Sequence, residues 1–164
     1  MKMDLFDNAI LKKIHHFMLN NEQTLAVAES VTAGLVQLSF AQTEMASDFF
    51  QGGITVYNIG QKYKHLQVEP IHALQCNCVS LRVTVEMALH VRSLFNSEWG
   101  IGITGYATPV PESKNKIFAY YAIANEKKLV AKGKLIPNKK DPFEVQLYYT
   151  RAIIKLLNKN LNKK

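Results

Sequence analysis

Short apolar segments of strand character alternate along this sequence with segments of helical periodicity, and this alternation most constrains the fold. Each predicted strand is rich in β-branched, aromatic or small apolar residues. The predicted strands are Thr24–Ala28, Gly52–Tyr57, Trp99–Thr104, Ile117–Ala124 and Lys128–Ile136. The short turn Asn125–Lys127 joins the last two strands and predicts an antiparallel hairpin.

Helical patterns fill the intervals between these strands. Ser80 is a predicted N-cap residue, and Asp141 followed by Pro142 is a typical helix start. The predicted helices are Asp4–Leu19, Leu35–Gln42, a helix that begins near Asn58, an interrupted helical segment over Lys64–Gln75, Ser80–Phe95 and a final helix from Asp141. Interleaved strands and helices predict an α/β fold, a three-layer α/β/α arrangement with a mixed, mostly parallel sheet and one antiparallel hairpin.

The size and composition predict one folded domain. Apolar residues make up 48% of the 164 residues, which is enough for a core and argues against disorder. We predict a single domain over residues 1–164, with a Lys- and Asn-rich basic tail over 158–164. No apolar run is long enough to span a bilayer, and the N-terminus lacks the apolar segment of a signal peptide. We therefore expect a cytoplasmic protein without membrane contact.

The net charge of +7 is compatible with nucleic acid or with a phosphorylated small molecule. The sequence contains no arginine-rich patch, zinc finger or RNP-like aromatic motif, so we do not expect nucleic acid as a partner. Cys76 and Cys78 are too close for an ordinary disulfide and lack the CxxC spacing of zinc or redox motifs. His15 and His16 are adjacent and cannot face one metal together, so we interpret them as surface residues and predict no metal site.

Ser47, Tyr57 and Lys62 form the candidate catalytic group. A serine hydroxyl is a weak nucleophile until a base accepts its proton, and a lysine whose pKa is lowered by burial can be that base. The predicted strand carries Tyr57 to its C-terminal end, where α/β proteins bind ligands. The alternative is purely structural, with Ser47 as an N-cap residue, Tyr57 half-buried in the sheet and Lys62 solvated.

Two further segments have both a binding and a structural interpretation. Ser30 and Thr32 follow a predicted strand and precede a helix, which is where helix N–H groups meet an anion, but either residue can also be a simple N-cap. Thr104 and Gly105 leave another strand and can offer a hydroxyl and N–H groups to a ligand. The same pair is equally typical of a turn.

Several of these segments together resemble the CinA C-terminal domain family, which includes nicotinamide mononucleotide deamidases. The resemblance covers nearly the whole chain, in order. The matching segments are Ala28–Gly34 (family AES-C-TGG), then Ser47, Phe50, Gly53, Tyr57 and Lys62 in register with a family motif, then Val79–Ser80 (family AVS) and Thr104–Pro109 (family TGIAGP).

The resemblance implies a metal-independent and cofactor-independent amidohydrolase. Such an enzyme would hydrolyse the carboxamide of a small nucleotide, nicotinamide mononucleotide, to the acid and ammonia. Ser47 would be the nucleophile, Lys62 its base and Tyr57 a proton relay. The substrate-binding residues would be Ser30, Thr32, Gly34, Thr104, Gly105 and Lys140. Family members are often oligomers, so the resemblance also allows a homo-oligomer.

The sequence departs from the family mainly in the residues expected to hold the substrate. The family's glycine-rich loop is replaced by the stiffer segment Thr108–Ser113. Of two arginines suited to a phosphate, one aligns with Lys140 and the other with Glu144 or Val145. These changes favour an alternative hypothesis, a non-catalytic family member that acts as a nucleotide-binding or interaction protein.

Overall fold

The computed structural model describes residues 5–126 and 128–161 as one mixed sheet covered by helices on both faces. The strands are β1 (Leu25–Glu29), β2 (Phe50–Thr55), β3 (Trp99–Gly105), β4 (Ala119–Asn125) and β5 (Lys128–Leu135). The helices are α1 (Asn8–Asn20), α2 (Leu35–Ala41), α3 (Ile59–Leu66), α4 (Pro70–Gln75), α5 (Leu81–Phe95) and α6 (Pro142–Asn160). Short 3-10 turns lie at Ala46–Asp48 and Pro111–Ser113.

The sheet has the strand order β2-β1-β3-β4-β5. β1 pairs in parallel with both β2 and β3, whereas β4 is antiparallel to both of its neighbours. The predicted α/β class and the β4–β5 hairpin are confirmed. Because β2, β1 and β3 are parallel neighbours, their carboxyl ends lie at one edge of the sheet, and the loops that follow them meet there.

Successive side chains of each strand point to opposite faces of the sheet, so the protein has one core on each face. The larger core lies between the sheet and α1, α2 and α6, and includes Val27 and Ile101 from the strands. The smaller core lies between the opposite face and α3, α4 and α5, and includes Ala26 and Ala28. This alternation follows from the two-residue period of a strand, and it produces the three predicted layers.

Two glycines of β3 allow α5 to approach the sheet closely. A Cβ added at Gly100 would lie 2.1 Å from the Ala88 carbonyl oxygen, and one at Gly102 would lie 2.4 Å from the Thr84 carbonyl oxygen. Backbone atoms of a packed helix cannot move away from such a clash without displacing the helix. These glycines therefore fix the position of α5 against the sheet.

Local capping signals are confirmed at the helix starts that the sequence predicted. The hydroxyl of Ser80 accepts from Val83 N, and the carboxylate of Asp141 accepts from Glu144 N. Asn58 caps α3 in the same way through Gln61 N. Polar side chains at these positions satisfy backbone N–H groups that lack a partner within the helix.

Both ends of the chain differ from the prediction. α1 begins at Asn8 rather than Asp4, because the Asp7 carboxylate accepts from Ala9 N and Ile10 N and caps the helix there. Residues 158–160 belong to α6, and Leu161 after them is buried, so the predicted tail does not begin at residue 158. Asp4 and residues 162–164 lie outside the described residues.

His15 is buried, not on the surface, because α1 turns it toward the core, where its ring packs against Phe49. None of the helices in the described part of the chain is long and apolar enough to cross a membrane.

Candidate functional site

A cleft of about 610 Å³ opens at the edge of the sheet where the carboxyl ends of β1, β2 and β3 meet. Its volume is in the range typical of small-molecule sites. Ser30 follows β1, Tyr57 follows β2, and Thr104 and Gly105 end β3. The wall residues come from all three strand ends, from α3 and α4, and from the start of α6.

Lys62 is the buried cationic group of this cleft. It lies on α3 and is 1% exposed, yet its Nζ donates to Ser30 Oγ at 3.0 Å and to the Val56 carbonyl oxygen at 2.8 Å. Burial lowers the pKa of Lys62 from 10.5 to about 8, against a smaller opposing effect of the Cys78 thiol. With this pKa, about a tenth of the amine is neutral at pH 7, and that fraction can accept a proton.

Ser30 supplies the hydroxyl that accepts this hydrogen bond from Lys62. It is 7% exposed and belongs to the cleft wall. β1 and β2 are parallel neighbours, with Glu29 opposite Thr55, so the residue after β1 lies close to the residues after β2. This places a serine and a lowered-pKa lysine within hydrogen-bond distance, which is the arrangement that activates a serine nucleophile.

The turn after Ser30 is held by the buried carboxylate of Glu29. That carboxylate accepts from Thr32 Oγ1 at 2.5 Å, from Gly34 N at 3.1 Å and from Gln37 N at 2.8 Å. It also accepts from Val36 N at 3.1 Å. A carboxylate of the chain itself therefore occupies the N-terminus of α2, where the sequence had predicted a bound anion as one alternative.

The predicted substrate-binding roles of Thr32 and Gly34 are corrected by this geometry. Thr32 is fully buried with its hydroxyl bonded to Glu29, and neither residue lines the cleft. Both residues shape the turn that presents Ser30. Neither residue caps α2 with a side chain, since the N-cap position is Gly34 in a left-handed conformation.

The predicted convergence of Ser47 with Tyr57 and Lys62 is not observed. Ser47 lies in the 3-10 turn before β2, is exposed, and does not line the cleft. Its hydroxyl is 3.5 Å from Asp48 Oδ1. Six strand residues separate it from the carboxyl end of β2, and at about 3.3 Å per residue this is a distance of roughly 20 Å.

Tyr57 lines the mouth of the cleft, not its floor. Its side chain is 69% exposed. Among the described residues, the hydrogen-bond acceptors of Lys62 Nζ are Ser30 Oγ and the Val56 carbonyl, with no bond to Tyr57. Tyr57 is therefore placed to contact a ligand rather than to relay a proton to Lys62.

Thr104 and Gly105, which the sequence predicted to bind substrate, line the cleft, but the hydroxyl of Thr104 already donates to the Cys78 carbonyl at 3.1 Å. Lys140 is exposed in the segment before α6 and is not a wall residue. The residues of α6 that line the cleft are Pro142 and Gln146.

Sequence reasoning missed several wall residues because they come from loops without a recognisable pattern. These residues include Asn77 and Cys78, which lie in the connection between α4 and α5, and Glu112 in the second 3-10 turn. Asn77 donates through its side-chain amide to the Tyr106 hydroxyl at 3.3 Å. In the described ranges 5–126 and 128–161, no group of three or more His, Cys, Asp or Glu residues could hold a metal ion.

Comparisons with solved structures agree with this fold. A CinA superfamily protein from Enterobacter cloacae superposes with a TM-score of 0.89 at 23% identity, covering 94% of this chain and 92% of that one. The competence/damage inducible protein CihA from Agrobacterium tumefaciens superposes with a TM-score of 0.88 at 18% identity, covering 99% and 98%. At these identities the likeness shows a shared fold.

Curated relatives give the same family at higher identity. A CinA-like protein from Picosynechococcus is 36% identical over 111 residues, which are 68% of this chain and 26% of the relative. A putative competence-damage inducible protein from Streptococcus equi subsp. zooepidemicus is 35% identical over 103 residues, 63% of this chain and 24% of the relative. The chain thus aligns with about a quarter of the length of these relatives.

The family model of the CinA C-terminal domain matches residues 7–161. That range includes every described strand and helix and all of the cleft residues named above. The motifs noted in the sequence therefore lie within one continuous match. The chain belongs to the CinA C-terminal domain family.

Proposed function

We propose that this protein is a metal-independent amidohydrolase in which Ser30 is the nucleophile and Lys62 is its general base. The observation that carries the proposal is the 3.0 Å hydrogen bond between Lys62 Nζ and Ser30 Oγ in a cleft where burial has lowered the lysine pKa to about 8. The proposed reaction class, hydrolysis of a small carboxamide, is supported by the resemblance to nicotinamide mononucleotide deamidases.

The proposed reaction has two steps. In the first, neutral Lys62 accepts the Ser30 hydroxyl proton while Ser30 Oγ attacks the carboxamide carbon. The tetrahedral intermediate then collapses, the C–N bond breaks, and Lys62 returns the proton to the leaving nitrogen, which departs as ammonia. In the second step, Lys62 takes a proton from water while the hydroxide attacks the acyl-serine ester. The C–O bond to Ser30 then breaks, Lys62 returns the proton to Ser30 Oγ, and the acid is released.

The surroundings of Lys62 suit this cycle. The Val56 carbonyl accepts one N–H of the amine at 2.8 Å, so it orients the side chain in both protonation states. With that bond in place, the lone pair of the neutral amine can point toward Ser30. The backbone N–H of Val31, which follows Ser30 in the cleft wall, is our candidate donor for the developing oxyanion.

The experiment compares three variants of the purified chain by ammonia release from nicotinamide mononucleotide and related carboxamides. We expect Ser30→Ala and Lys62→Met each to lower kcat by a factor of at least ~100, since nucleophile and base act together. Ser47→Ala is the matched control, because it removes the serine at the far end of β2, and it should retain activity. Loss of activity in Ser47→Ala with activity retained in Ser30→Ala would reverse the assignment.

The second candidate function is ligand binding without turnover. It is supported by the changed loop Thr108–Ser113 and by the absence of the aligned arginines from the cleft wall formed by the described residues. Calorimetry with a carboxamide that binds, combined with no ammonia release across pH 7 to 9.5, would favour this function over hydrolysis.

A further inference from the structure

Three aromatic side chains form a cluster on the sheet that belongs to neither core. Tyr106 and Phe118 pack edge to face with their ring centroids 5.4 Å apart, and Phe118 and Tyr120 pack in the same way at 5.6 Å. Each ring is half-buried. Within the described part of the chain, none of the three is a member of a hydrophobic core cluster or packs against one. Core packing therefore does not account for three large rings at this place.

The neighbouring strand β5 adds lysines to the same face of the sheet. Tyr120 is opposite Lys134 and Ala122 is opposite Lys132 in the β4–β5 register, and residues at such positions point to one side. Lys134 Nζ lies 3.9 Å from the centroid of the Phe118 ring. Both lysines are exposed, and neither forms a salt bridge with any described residue. Since β4 and β5 contain no aspartate or glutamate, this face is positively charged.

The side chains of β4 on this face change in size where α5 packs on the strand. Ala122 and Ala124 form a small cluster with Ala88 of α5, and alanine is small enough for the helix to approach closely. The large rings of Phe118 and Tyr120 precede these alanines in the strand and lie outside that cluster. The part of the face that carries the rings is therefore not the part that α5 covers.

Flat rings beside ammonium groups that lack a carboxylate partner are the arrangement with which proteins bind single-stranded nucleic acid. A base stacks on an aromatic ring, and a lysine neutralises the phosphate next to it. A duplex offers the same phosphates, but its bases are stacked on one another and do not present their faces. Binding replaces the contact of Lys134 with the Phe118 ring by a contact with phosphate, and a cation over an exposed ring is held only weakly.

We propose that the face formed by Tyr106, Phe118, Tyr120, Lys132 and Lys134 binds single-stranded nucleic acid. Bases stack on Phe118 and Tyr120, and phosphates lie at the two lysines. The sequence contains no contiguous motif of this kind, because the rings and the lysines lie on different strands and only the β4–β5 hairpin brings them together. This binding is separate from the proposed hydrolysis and needs no catalytic step.

The test measures binding of the purified full chain to a fluorescein-labelled oligothymidine of about 12 nucleotides by fluorescence anisotropy. We expect its Kd to be at least about tenfold lower than that of a duplex of the same length, because only the single strand offers free base faces. Labelled polyglutamate of equal charge is the third probe, and it should bind at least about tenfold more weakly than oligothymidine. Equal binding of the duplex, equal binding of polyglutamate, or no binding of oligothymidine would each overturn the proposal.

Phe118→Leu and Tyr120→Leu test the stacking contacts while keeping an apolar side chain at each position. Each variant should raise the Kd for oligothymidine by about tenfold, the usual effect of removing a ring on which a base stacks. Tyr63→Leu is the matched control, because it removes a ring that is 58% exposed on α3, and it should bind as the wild type does. The fluorescence of the buried Trp99 verifies that each variant is folded. Unchanged affinity in both β4 variants would contradict the stacking.

Lys132→Gln and Lys134→Gln test the phosphate contacts through their dependence on salt, and both residues are exposed, so the fold does not depend on them. Each phosphate contact to a single strand contributes about 0.7 to the slope of log affinity against log salt concentration. Each variant should therefore reduce the steepness of this slope by about 0.7. Lys12→Gln removes the same charge from an exposed position on α1, on the opposite side of the sheet, and should leave the slope unchanged. The same slope in all three variants would overturn the proposed site.

Discussion

Replacing Lys62 by methionine should change how the stability of the fold depends on pH. The pKa of Lys62 is about 8 in the folded protein and 10.5 in its ordinary state. The unfolded chain therefore binds more protons than the folded chain between these values. Stability rises with pH wherever the unfolded state binds more protons, so the Lys62 contribution makes the wild type more stable as the pH increases from about 8 to 10.5.

The magnitude follows from the size of the shift. A difference of 2.5 pH units between 10.5 and 8 corresponds to roughly 3 kcal/mol, at 1.36 kcal/mol per unit. About 2 kcal/mol of this gain in stability occurs between pH 7 and pH 9.5. Most of the remainder occurs above pH 9.5, as the unfolded chain loses its proton near pH 10.5. The side chain is 1% exposed, so solvent screening removes little of the effect.

Urea unfolding at several pH values measures this contribution directly. Trp99 is the only tryptophan in the sequence and is 3% exposed, so its fluorescence reports the loss of the core. The wild-type free energy of unfolding minus that of Lys62→Met should rise by about 2 kcal/mol from pH 7 to pH 9.5. Burial also raises the pKa of Tyr121 and of Tyr149, but both tyrosines are present in both proteins and cancel in the difference.

The thiol of Cys78 does not cancel in this difference. Burial raises its pKa, and its interaction with Lys62 is lost in Lys62→Met, so its titration differs between the two proteins. Repeating the comparison in a Cys78→Ser background removes that thiol from both proteins. A difference that stays flat between pH 7 and pH 9.5 in this background would mean that Lys62 keeps its proton throughout. The assignment of Lys62 as a base would then be refuted.

Three other predictions use the same geometry. The kcat/KM for ammonia release should rise tenfold per pH unit below about pH 8 and level off above it, as Lys62 loses its proton; a profile without this rise would exclude Lys62 as the titrating base. Glu29→Gln should lower the free energy of unfolding by about 1–3 kcal/mol in urea, because one amide cannot accept all four hydrogen bonds of the carboxylate. Gly102→Ala should cost about 1–3 kcal/mol through its contact with the Thr84 carbonyl, whereas Gly60→Ala, whose Cβ would meet nothing closer than 3.5 Å, should not destabilise the fold.

The fold could be predicted from the sequence because its signals are local. Ser80, Asn58 and Asp141 cap helices within three residues of their own positions, and apolar runs mark the strands. The prediction that His15 lies on the surface was wrong because its burial is not a local property. Adjacent histidines exclude a shared metal, but they do not decide which face of α1 packs against the sheet, and that depends on residues far away such as Phe49.

The proposed nucleophile, Ser30, could not be predicted, because its place beside Lys62 depends on which strands are neighbours. The spacing of Ser47, Tyr57 and Lys62 suggested one site, but the six residues of β2 separate the first of them from the other two. Ser30 is distant from Lys62 in sequence and reaches it only because β1 and β2 are parallel and adjacent. A local signal existed in the strand-to-helix turn at Ser30, but capping explained that turn equally well.

Stability alone does not account for an amine at position 62. Burying Lys62 costs roughly 3 kcal/mol at neutral pH by its lowered pKa. Its hydrogen bond to the Val56 carbonyl, which has no other partner among residues 5–126 and 128–161, offsets about 1–3 kcal/mol of that cost. Lys62→Met should therefore change the stability little at pH 7 and lower it at pH 9.5. A protein that only bound ligands would gain nothing from a proton acceptor at this place, whereas a serine hydrolase requires one beside Ser30. The cost of the buried amine thus favours catalysis over binding without turnover.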